Sequence, residues 1–371
     1  MRLAFDHQAF CRRPYTGISR YYLKLLEHLP LAASDQVRLF APLHVNALLA
    51  EANLQGFEGQ YFASHPRLLR PVIRAASGWL TRHALSRFAP DLVHETYYSA
   101  HSVAPPRVPL VLTVYDLIHE RFPRQFAWQQ QLLSAKRRAI ARAEQTICIS
   151  SATQRDLQAL YDLPAQRVNV VPLGIDPAPN AATLAHLNNN PPLSTRPFVL
   201  FVGERGSYKN FARLLTAYAQ SSRLRSACDL ICFGGDAWTQ AERQQLADQR
   251  LHNQVRQLGG RDQRLHWFYR HALVLVYPSL YEGFGLPLLE AMRWGCPVAS
   301  SDRSALPEVA AHAASYFDPE SVEAIQTTLE TLVFSESERA RLRALGLERI
   351  QQFSWTRCAE NTLAIYRHLV S

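Results

Sequence analysis

The sequence predicts an α/β protein made of two doubly wound domains with parallel sheets. In both halves of the chain, apolar runs of strand length alternate with amphipathic stretches of helical length, which is the rhythm of βαβ units. The segment from Ile175 to Ser194 is rich in Pro and Asn and lacks sustained periodicity, as is typical of a linker. The length of 371 residues also favours two domains over one ordinary core.

Each predicted strand is a short apolar run. In the first half the runs are Leu3–Asp6, Val37–Ala41, Leu92–Glu95, Leu110–Tyr115, Gln145–Ser150 and Val168–Pro172. In the second half they are Phe198–Val202, Asp229–Phe233, Leu273–Tyr277, Pro297–Ser300 and Ser315–Phe317. We place the N-terminal domain at residues 1–178, the C-terminal domain at residues 190–355 and a final helix at residues 356–371. Ligands of such sheets lie beyond the carboxyl ends of the strands, so we expect the site in a cleft between two facing domains.

Composition and charge limit the function classes. The longest apolar runs are far shorter than the roughly 20 residues of a membrane-spanning helix, and we expect no secretory leader before the first strand. The six cysteines are scattered without the spacing of a zinc site, which predicts reduced thiols in a cytoplasmic protein. Residues 1–180 hold 20 basic and 13 acidic residues, so this half favours an anionic partner: a phosphate-bearing substrate, a membrane surface or a nucleic acid.

Two glutamates, Glu282 and Glu290, flank a glycine-rich turn with the sequence Glu-Gly-Phe-Gly-Leu-Pro-Leu-Leu-Glu. Gly283 and Gly285 allow the backbone to turn tightly and to approach a ligand closely. Pro287 suits the first turn of a helix, whose free N–H groups can bind an anion. The two carboxylates could therefore hold different ends of one elongated ligand. The alternative is a simple strand-loop-helix connection with Glu290 in solvent.

A second candidate site follows the predicted strand Phe198–Val202. Gly203, Arg205 and Lys209 lie there, ahead of a predicted helix at Phe211–Ala219, and a glycine with cations at such a position indicates a phosphate site. Fixed cations can stabilise a departing diphosphate without a metal ion, and the chain contains no Asp-x-Asp sequence. The alternative is a pair of surface cations on a solvated turn.

The chain resembles the retaining glycosyltransferases of family 4, which have the GT-B fold of two facing Rossmann-like domains with a central cleft. Glu282 and Glu290 match the paired-glutamate motif of that family. The segments Gly295–Glu308, Asp318–Pro319 and Phe353–Trp355 continue the family pattern toward the C-terminus. By this resemblance the final helix crosses back onto the N-terminal domain.

The resemblance implies a role for each of these motifs. Glu282 would bind hydroxyl groups of the donor sugar, Glu290 the ribose hydroxyls, and Lys209 and Arg205 the diphosphate, with no metal ion. Base recognition is assigned to the loops after two strands, at residues 233–235 and 258–261. The remaining donor-binding positions are Gly17, Gly203, Gly259, Gly283, Phe284, Gly285 and Leu286.

The acceptor side is assigned to the N-terminal half. Gly17 resembles the glycine loop that borders donor phosphate and acceptor in the family. Tyr115 stands where many relatives have the His of a His-Asp pair, while Asp116 is retained and His119 follows three residues later. We expect Asp116 or His119 to lie near the acceptor hydroxyl and to act in catalysis. His94–Glu95 is a further candidate, although a single His is more often structural.

Residues 59–90 include five arginines and no acidic residue. Apolar side chains, with Trp79 among them, recur there at helical spacing. A basic amphipathic helix with a Trp is typical of an anchor on an anionic membrane surface, which we predict for residues 67–88. The alternative is a helix that packs its apolar side inward.

We predict retaining, metal-independent transfer of a hexosyl group, of mannose or rhamnose type, from a nucleoside-diphosphate sugar to a lipid-linked glycan of the cell surface. The local pattern after the two sites resembles bacterial mannosyl- and rhamnosyltransferases of O-antigen assembly, which favours GDP-mannose or GDP-rhamnose. A UDP-sugar as donor is the first alternative, and a GT-B sugar-nucleotide epimerase the second. A nucleic-acid-binding protein is a third, but the chain lacks clustered basic residues with interleaved aromatic ones. We expect a cytoplasmic protein that is peripheral on the inner face of the cytoplasmic membrane.

Overall fold

The protein divides into two compact α/β units. The computed structural model describes residues 1–52, 54–62, 70–126, 129–188, 193–260 and 262–371. Unit 1 comprises Met1–Gly174 with Trp355–Ser371, and unit 2 comprises Ile175–Ser354. Each unit has its own parallel sheet with helices between the strands. The predicted α/β class with two parallel sheets is confirmed.

The sheet of unit 1 changes its direction of winding in the middle. Its strands are β1 (Arg2–Phe5), β2 (Gln36–His44), β3 (Phe57–Tyr61), β4 (Leu92–Glu95), β5 (Leu110–Val114), β6 (Gln145–Cys148) and β7 (Val168–Val170). Over the described residues the hydrogen-bonded order is β3-β2-β1-β4-β5-β6-β7, with every pair parallel. The winding reverses between β1 and β4. A ligand crevice is therefore expected beyond the carboxyl ends of these two strands.

The helices of unit 1 follow the loops at the ends of the strands. They are α1 (Gly17–His28), α2 (Ala47–Glu51), α3 (Arg70–Phe88), α4 (Ile118–Arg121), α5 (Gln130–Arg142) and α6 (Ser151–Tyr161). A capping box begins α1, because Thr16 Oγ1 accepts from the Ser19 N–H at 3.0 Å and Ser19 Oγ accepts from the Thr16 N–H at 3.3 Å. The loop after β1 is thereby tied to the start of α1.

The sheet of unit 2 reverses in the same way. Its strands are β8 (Phe198–Val202), β9 (Asp229–Phe233), β10 (Val255–Leu258), β11 (Val274–Tyr277), β12 (Val298–Ser301) and β13 (Ser315–Phe317). In the part of unit 2 that the structure describes, the order is β10-β9-β8-β11-β12-β13 and all pairs are parallel. The reversal lies between β8 and β11, so the loops after these strands meet at one edge of the sheet.

The core of unit 2 holds β8 in place. The helices of this unit are α7 (Ala181–Asn188), α8 (Phe211–Gln220), α9 (Ser222–Ala227), α10 (Gln240–Asp248), α11 (Asp262–His271), α12 (Leu286–Arg293), α13 (Leu306–Ala310), α14 (Val322–Phe334) and α15 (Glu336–Arg349). Helix α8 buries Leu214, Leu215 and Tyr218 on one face, and α14 buries Ile325 and Leu329. All five side chains belong to one cluster with the buried residues of β8, β9 and β11.

Two of the described strands were not predicted, and one helix lies in the segment predicted to be a linker. The strands β3 and β10 form edges of their sheets, and most of their side chains are exposed or half-buried. They therefore lack the apolar run that marks a central strand. The helix α7 lies in the segment 175–194 that we interpreted as a linker.

The C-terminal helix α16 (Trp355–Val370) belongs to unit 1 and is tied to its sheet through His94 on β4. The buried His94 ring lies with Nδ1 2.5 Å from the Tyr366 hydroxyl and Nε2 2.9 Å from Thr113 Oγ1. Burial lowers the pKa of His94 from 6.5 to about 3, so the ring is neutral. The hypothesis that His94 lies near an acceptor is wrong, because both ring nitrogens contact protein hydroxyls and the side chain has no solvent exposure.

The lowered pKa of His94 predicts a loss of stability in acid. Between its folded and unfolded pKa values the unfolded chain binds a proton that the folded chain does not. The stabilisation is complete above pH 6.5 and is lost toward pH 3, at up to about 1.4 kcal/mol per pH unit. We expect the free energy of unfolding, measured with urea at about pH 7, 6 and 5, to fall less steeply in His94→Gln than in the wild type. His368→Gln, at an exposed position of α16, should keep the wild-type slope, and equal slopes in all three proteins would contradict the prediction.

Candidate active site

Two loops meet at the edge of the unit 2 sheet where the winding reverses. The loop after β8 carries Gly203 and Lys209, and the loop after the neighbouring β11 carries Glu282. The two loops are joined directly, since the Leu280 N–H donates to the Tyr208 carbonyl at 2.8 Å. This arrangement brings together the predicted cation and the first glutamate of the predicted pair.

Lys209 and Glu282 form an ion pair at this edge. Lys209 Nζ lies 2.6 Å from Glu282 Oε1 and 3.1 Å from the Tyr277 hydroxyl, and the side chains are 13% and 10% exposed. Desolvation is the largest single effect and acts to lower the pKa of Lys209. The charge and hydrogen bond of Glu282 together with Tyr277 and Tyr208 outweigh it, and the net pKa is raised well above 10.5. The rings of Tyr208 and Tyr277 lie 5.3 Å and 5.2 Å from the ammonium group. The site thus holds a permanent cation in a fixed place.

The residue immediately before α12 is a glycine, Gly285, and any other residue at this position would be strained. Gly285 has φ 98°, and a Cβ there would lie 2.6 Å from Cδ2 of Leu306. No side chain caps the N-terminus of α12, and Pro287 occupies its first turn. Pro287 has no N–H and the Leu288 N–H donates to the Gly285 carbonyl, so the Leu286 N–H is the group at this helix start that favours an anion.

The loop between Glu282 and the helix is held by the protein on both sides. Ser304 Oγ donates to the Glu282 carbonyl at 2.8 Å. Gly283 is buried, and the buried Phe284 ring packs against Phe353 with 5.8 Å between ring centroids. Phe284 can therefore offer a ligand its backbone but not its ring.

Glu290 lies on α12 and is oriented by α11. Its Oε2 accepts from the Tyr269 hydroxyl at 3.1 Å, and the side chain is half-buried. Tyr269 is buried, so this contact fixes the carboxylate against a rigid neighbour. Sequence reasoning missed Tyr269, since one aromatic residue on an amphipathic helix carries no distinguishing signal.

Arg205 supports a neighbouring loop. Its Nε lies 2.7 Å from Glu242 Oε1, its Nη2 donates to the Asp236 carbonyl at 2.6 Å, and its guanidinium lies 4.4 Å from the Trp238 ring. The side chain is only 5% exposed. Its charge is therefore matched by a carboxylate, and it positions the loop after β9. The catalytic assignment of Arg205 stays a prediction.

The predicted glycines of the donor site follow three adjacent strands. Gly203 follows β8 with φ 121°, Gly234 and Gly235 follow β9 with φ 92° and 69°, and Gly259 follows β10. The Gly203 N–H donates to the Phe233 carbonyl at 2.9 Å, which links the first two loops. The structure thus gathers these glycines at one edge of the sheet, whereas Arg261 lies outside the described residues.

The predicted residues of the N-terminal half lie in unit 1. Gly17 is the first residue of α1. Asp116 Oδ1 accepts from the Ile118 N–H at 3.1 Å, while His119, on α4, lines a cavity of about 930 Å³. Desolvation lowers the pKa of His119, although the charge of Asp116 opposes this. Of the two acceptor candidates, His119 is the one that borders a cavity.

The comparisons with known proteins agree with this architecture. Residues 15–179 match the model described as Glycosyltransferase Family 4, and residues 185–349 match that of Glycosyl transferases group 1. The chain is 28% identical to O-antigen chain mannosyltransferase B of Escherichia coli, over 96% of this chain and 97% of that protein. It is 31% identical to alpha-maltose-1-phosphate synthase of Mycolicibacterium smegmatis, over 70% and 73% of the two chains. The solved sucrose-phosphate synthase of Thermosynechococcus elongatus has a TM-score of 0.77 at 20% identity, covering 99% and 98% of the two chains.

The buried ion pair predicts strong coupling between its partners. Lys209→Met and Glu282→Gln each leave a partly buried charge without its partner, with an expected loss of roughly 3 kcal/mol. The double variant should lose less than the sum of the two, by about 1–3 kcal/mol, in urea unfolding. The exposed pair Lys24–Glu27 on α1 is the control, and its cycle should give less than about 1 kcal/mol. Equal coupling in the two cycles would show that the Lys209–Glu282 contact is not a buried pair.

Proposed function

Because this chain belongs to the glycosyltransferases of family 4 and has the GT-B fold, we propose that it transfers mannose from GDP-mannose to a hydroxyl group of a lipid-linked glycan, with retention at the anomeric carbon. The observation that carries the proposal is the Lys209–Glu282 pair beside the open start of α12. The likeness to an O-antigen mannosyltransferase over nearly the whole chain supports mannose and surface polysaccharide.

The donor diphosphate binds at the start of α12. Lys209 and the Leu286 N–H at the start of α12 are positive partners for phosphate oxygens. When the donor arrives, the phosphate shares the ammonium group that Glu282 holds in place. Glu282 then accepts hydrogen bonds from sugar hydroxyls, and Glu290 accepts them from the ribose.

The transfer proceeds on one face of the sugar. The bond between the anomeric carbon and the phosphate oxygen breaks through an oxocarbenium-like transition state. The acceptor oxygen forms the new bond from the same face, and its proton passes to the departing phosphate oxygen. Lys209 stabilises the charge that develops on GDP, and the fixed position of this cation avoids reorganisation during the step. In this proposal the cation and the helix start make a divalent metal ion unnecessary.

Unit 1 provides the acceptor side and a membrane contact. The helix α3 buries Ser77, Thr81 and Leu85 and exposes Val72 and Trp79, which are 63% and 68% accessible. It also carries exposed arginines, so this helix has the composition of an interfacial anchor. Residues 67–69 of the predicted stretch lie outside the described residues. Among the helices that the structure describes, none has the length and apolarity to span a bilayer.

The proposed chemistry predicts that both partners of the ion pair are essential. With GDP-mannose and octyl α-mannoside, Lys209→Met and Glu282→Gln should lower kcat/KM at least about 100-fold. Arg223→Gln, an exposed cation on α9, should keep the wild-type rate. NMR of the product should show an α-linkage, and EDTA should leave the rate unchanged. A wild-type rate in either site variant, or a β-linked product, contradicts the proposal.

The choice of nucleotide is tested on the same proteins without an acceptor. GDP should raise the midpoint of thermal unfolding of the wild type more than UDP or dTDP, because only the preferred nucleotide binds tightly to the folded state. The effect should be smaller in Lys209→Met. Stabilisation by UDP alone would overturn the assignment of GDP and leave transferase activity standing.

The exposed face of α3 predicts binding to anionic vesicles. Trp79→Ala should weaken sedimentation with phosphatidylglycerol vesicles by removing an interfacial aromatic ring. Arg87→Gln should weaken it about fivefold, since one basic side chain near such a surface contributes about 1 kcal/mol. Leu160→Ala, which removes an exposed apolar side chain from α6, is the matched control. If all three variants sediment like the wild type, α3 does not contact the membrane.

A further inference from the structure

Unit 1 contains two adjoining cavities beyond the carboxyl ends of β1 and β4. Their volumes are about 930 Å³ and about 590 Å³. Arg12, Tyr98 and Ser99 line both, so the cavities adjoin at these residues. They occupy the crevice that the reversal of winding predicts for this unit.

The two cavities are lined by arginines and by no acidic residue among those described. Arg12 and Arg13 line the larger cavity, and Arg12, Arg74 and Arg82 line the smaller one. Within the described residues, no carboxylate lies in ion-pair distance of Arg12 or Arg74. The buried carboxylate nearest in sequence, that of Asp6, accepts hydrogen bonds from Thr96 and Gln8 instead.

Two arginines that are less exposed than Arg12 are neutralised by the protein, whereas Arg12 itself is exposed. Arg142 is paired with Glu95, and Arg205 with Glu242. Arg12 instead lies against the ring of Tyr97, 4.4 Å from its centroid. This contact and a hydrogen bond with the Tyr97 side chain order the guanidinium group, and a guanidinium group can bind two oxygens of one phosphate.

The like charges around Arg12 favour an external anion. Desolvation has the largest effect on the pKa of Arg12 and lowers it. Tyr97 opposes this, and the charges of Arg74 and Arg13 lower the pKa further. An arginine remains charged under these conditions, so the repulsion among these side chains persists in the free protein. A bound anion would relieve it.

The smaller cavity extends along α3. Pro71, Arg74, Gly78, Trp79 and Arg82 of this helix line it, and Trp79 also belongs to the exposed apolar face described above. A phosphate group in this cavity would therefore lie beside a face suited to a lipid surface. The larger cavity, with His119 on its wall, leaves room for sugar residues next to the phosphate.

We propose that Arg12 and Arg74 bind the phosphoryl group that joins the acceptor glycan to its lipid. This inference rests on the proposed function, because it assumes a glycosyl acceptor in unit 1. The ligand class that it assigns to the cavities is a lipid phosphate or diphosphate. The two arginines then select acceptors that carry such a phosphate group.

The test uses farnesyl diphosphate as the probe and farnesol as its uncharged match. Titrated into the full-length protein by calorimetry, farnesyl diphosphate should bind at least about tenfold more weakly to Arg12→Gln and to Arg74→Gln than to the wild type. Arg12→Lys should retain part of the affinity. Arg155→Gln, an exposed arginine on α6 that lines neither cavity, is the control for the lost charge, and thermal unfolding of each variant shows whether it is folded. Equal affinity in Arg12→Gln, Arg74→Gln and Arg155→Gln would overturn the proposal.

Three further arms separate the sources of phosphate binding. If Lys209→Met alone weakens farnesyl diphosphate binding, the probe occupies the donor site and the proposal fails. If Arg12→Gln weakens binding of phosphatidylglycerol vesicles as much as binding of the probe, the arginines bind lipid headgroups and the acceptor assignment fails. If Arg12-dependent binding persists while the wild type shows no turnover of GDP-mannose, the lipid-phosphate site stands and the proposed function falls.

Discussion

The contact between Lys209 and Glu282 is the interaction on which the rest of the donor site depends. The two side chains come from loops after neighbouring parallel strands, β8 and β11, so the contact exists only because the winding of the sheet reverses there. Each charge is partly removed from water, and each makes the burial of the other tolerable. Because the pair forms without a ligand, Lys209 and Glu282 already have fixed positions in the free protein. In the function that we propose, a donor diphosphate meets a cation already in place, so its binding needs little rearrangement.

The sequence predicted the central part of the fold well because central parallel strands are buried on both faces. The bounds of β8 and β9 agree with the apolar runs that we identified, whereas β3 and β10 at the edges have no such run. The residues of the site also divide into those with a signal in the sequence and those without one. Glu282 and Lys209 could be found because they directly follow predicted strands. Glu242 and Tyr269 could not, because they act on Arg205 and Glu290 from other helices, and only the tertiary structure brings them close.

The excess of basic residues in the first half of the chain indicated an anionic partner but not its place. A count of charges cannot distinguish an arginine that pairs with a carboxylate, such as Arg121 with Asp156, from one that lines a cavity, such as Arg12. The structure makes that distinction. It places Arg12, Arg13, Arg74 and Arg82 around two cavities whose described lining has no acidic residue, which is why we relate the charge to a phosphate-bearing lipid and not to a nucleic acid.

The position of α16 has a consequence for the way the protein is made. Unit 2 is one continuous segment, but unit 1 contains the first and the last residues of the chain. During synthesis on the ribosome, β4 emerges early with His94, and its partner Tyr366 is added only after the whole of unit 2. Unit 2 can therefore complete its core first, although domains more often fold in their order along the chain. Unit 1 begins to be synthesised first but is completed only when α16 has been added, and a chain truncated before α16 lacks the hydroxyl group that contacts the buried His94.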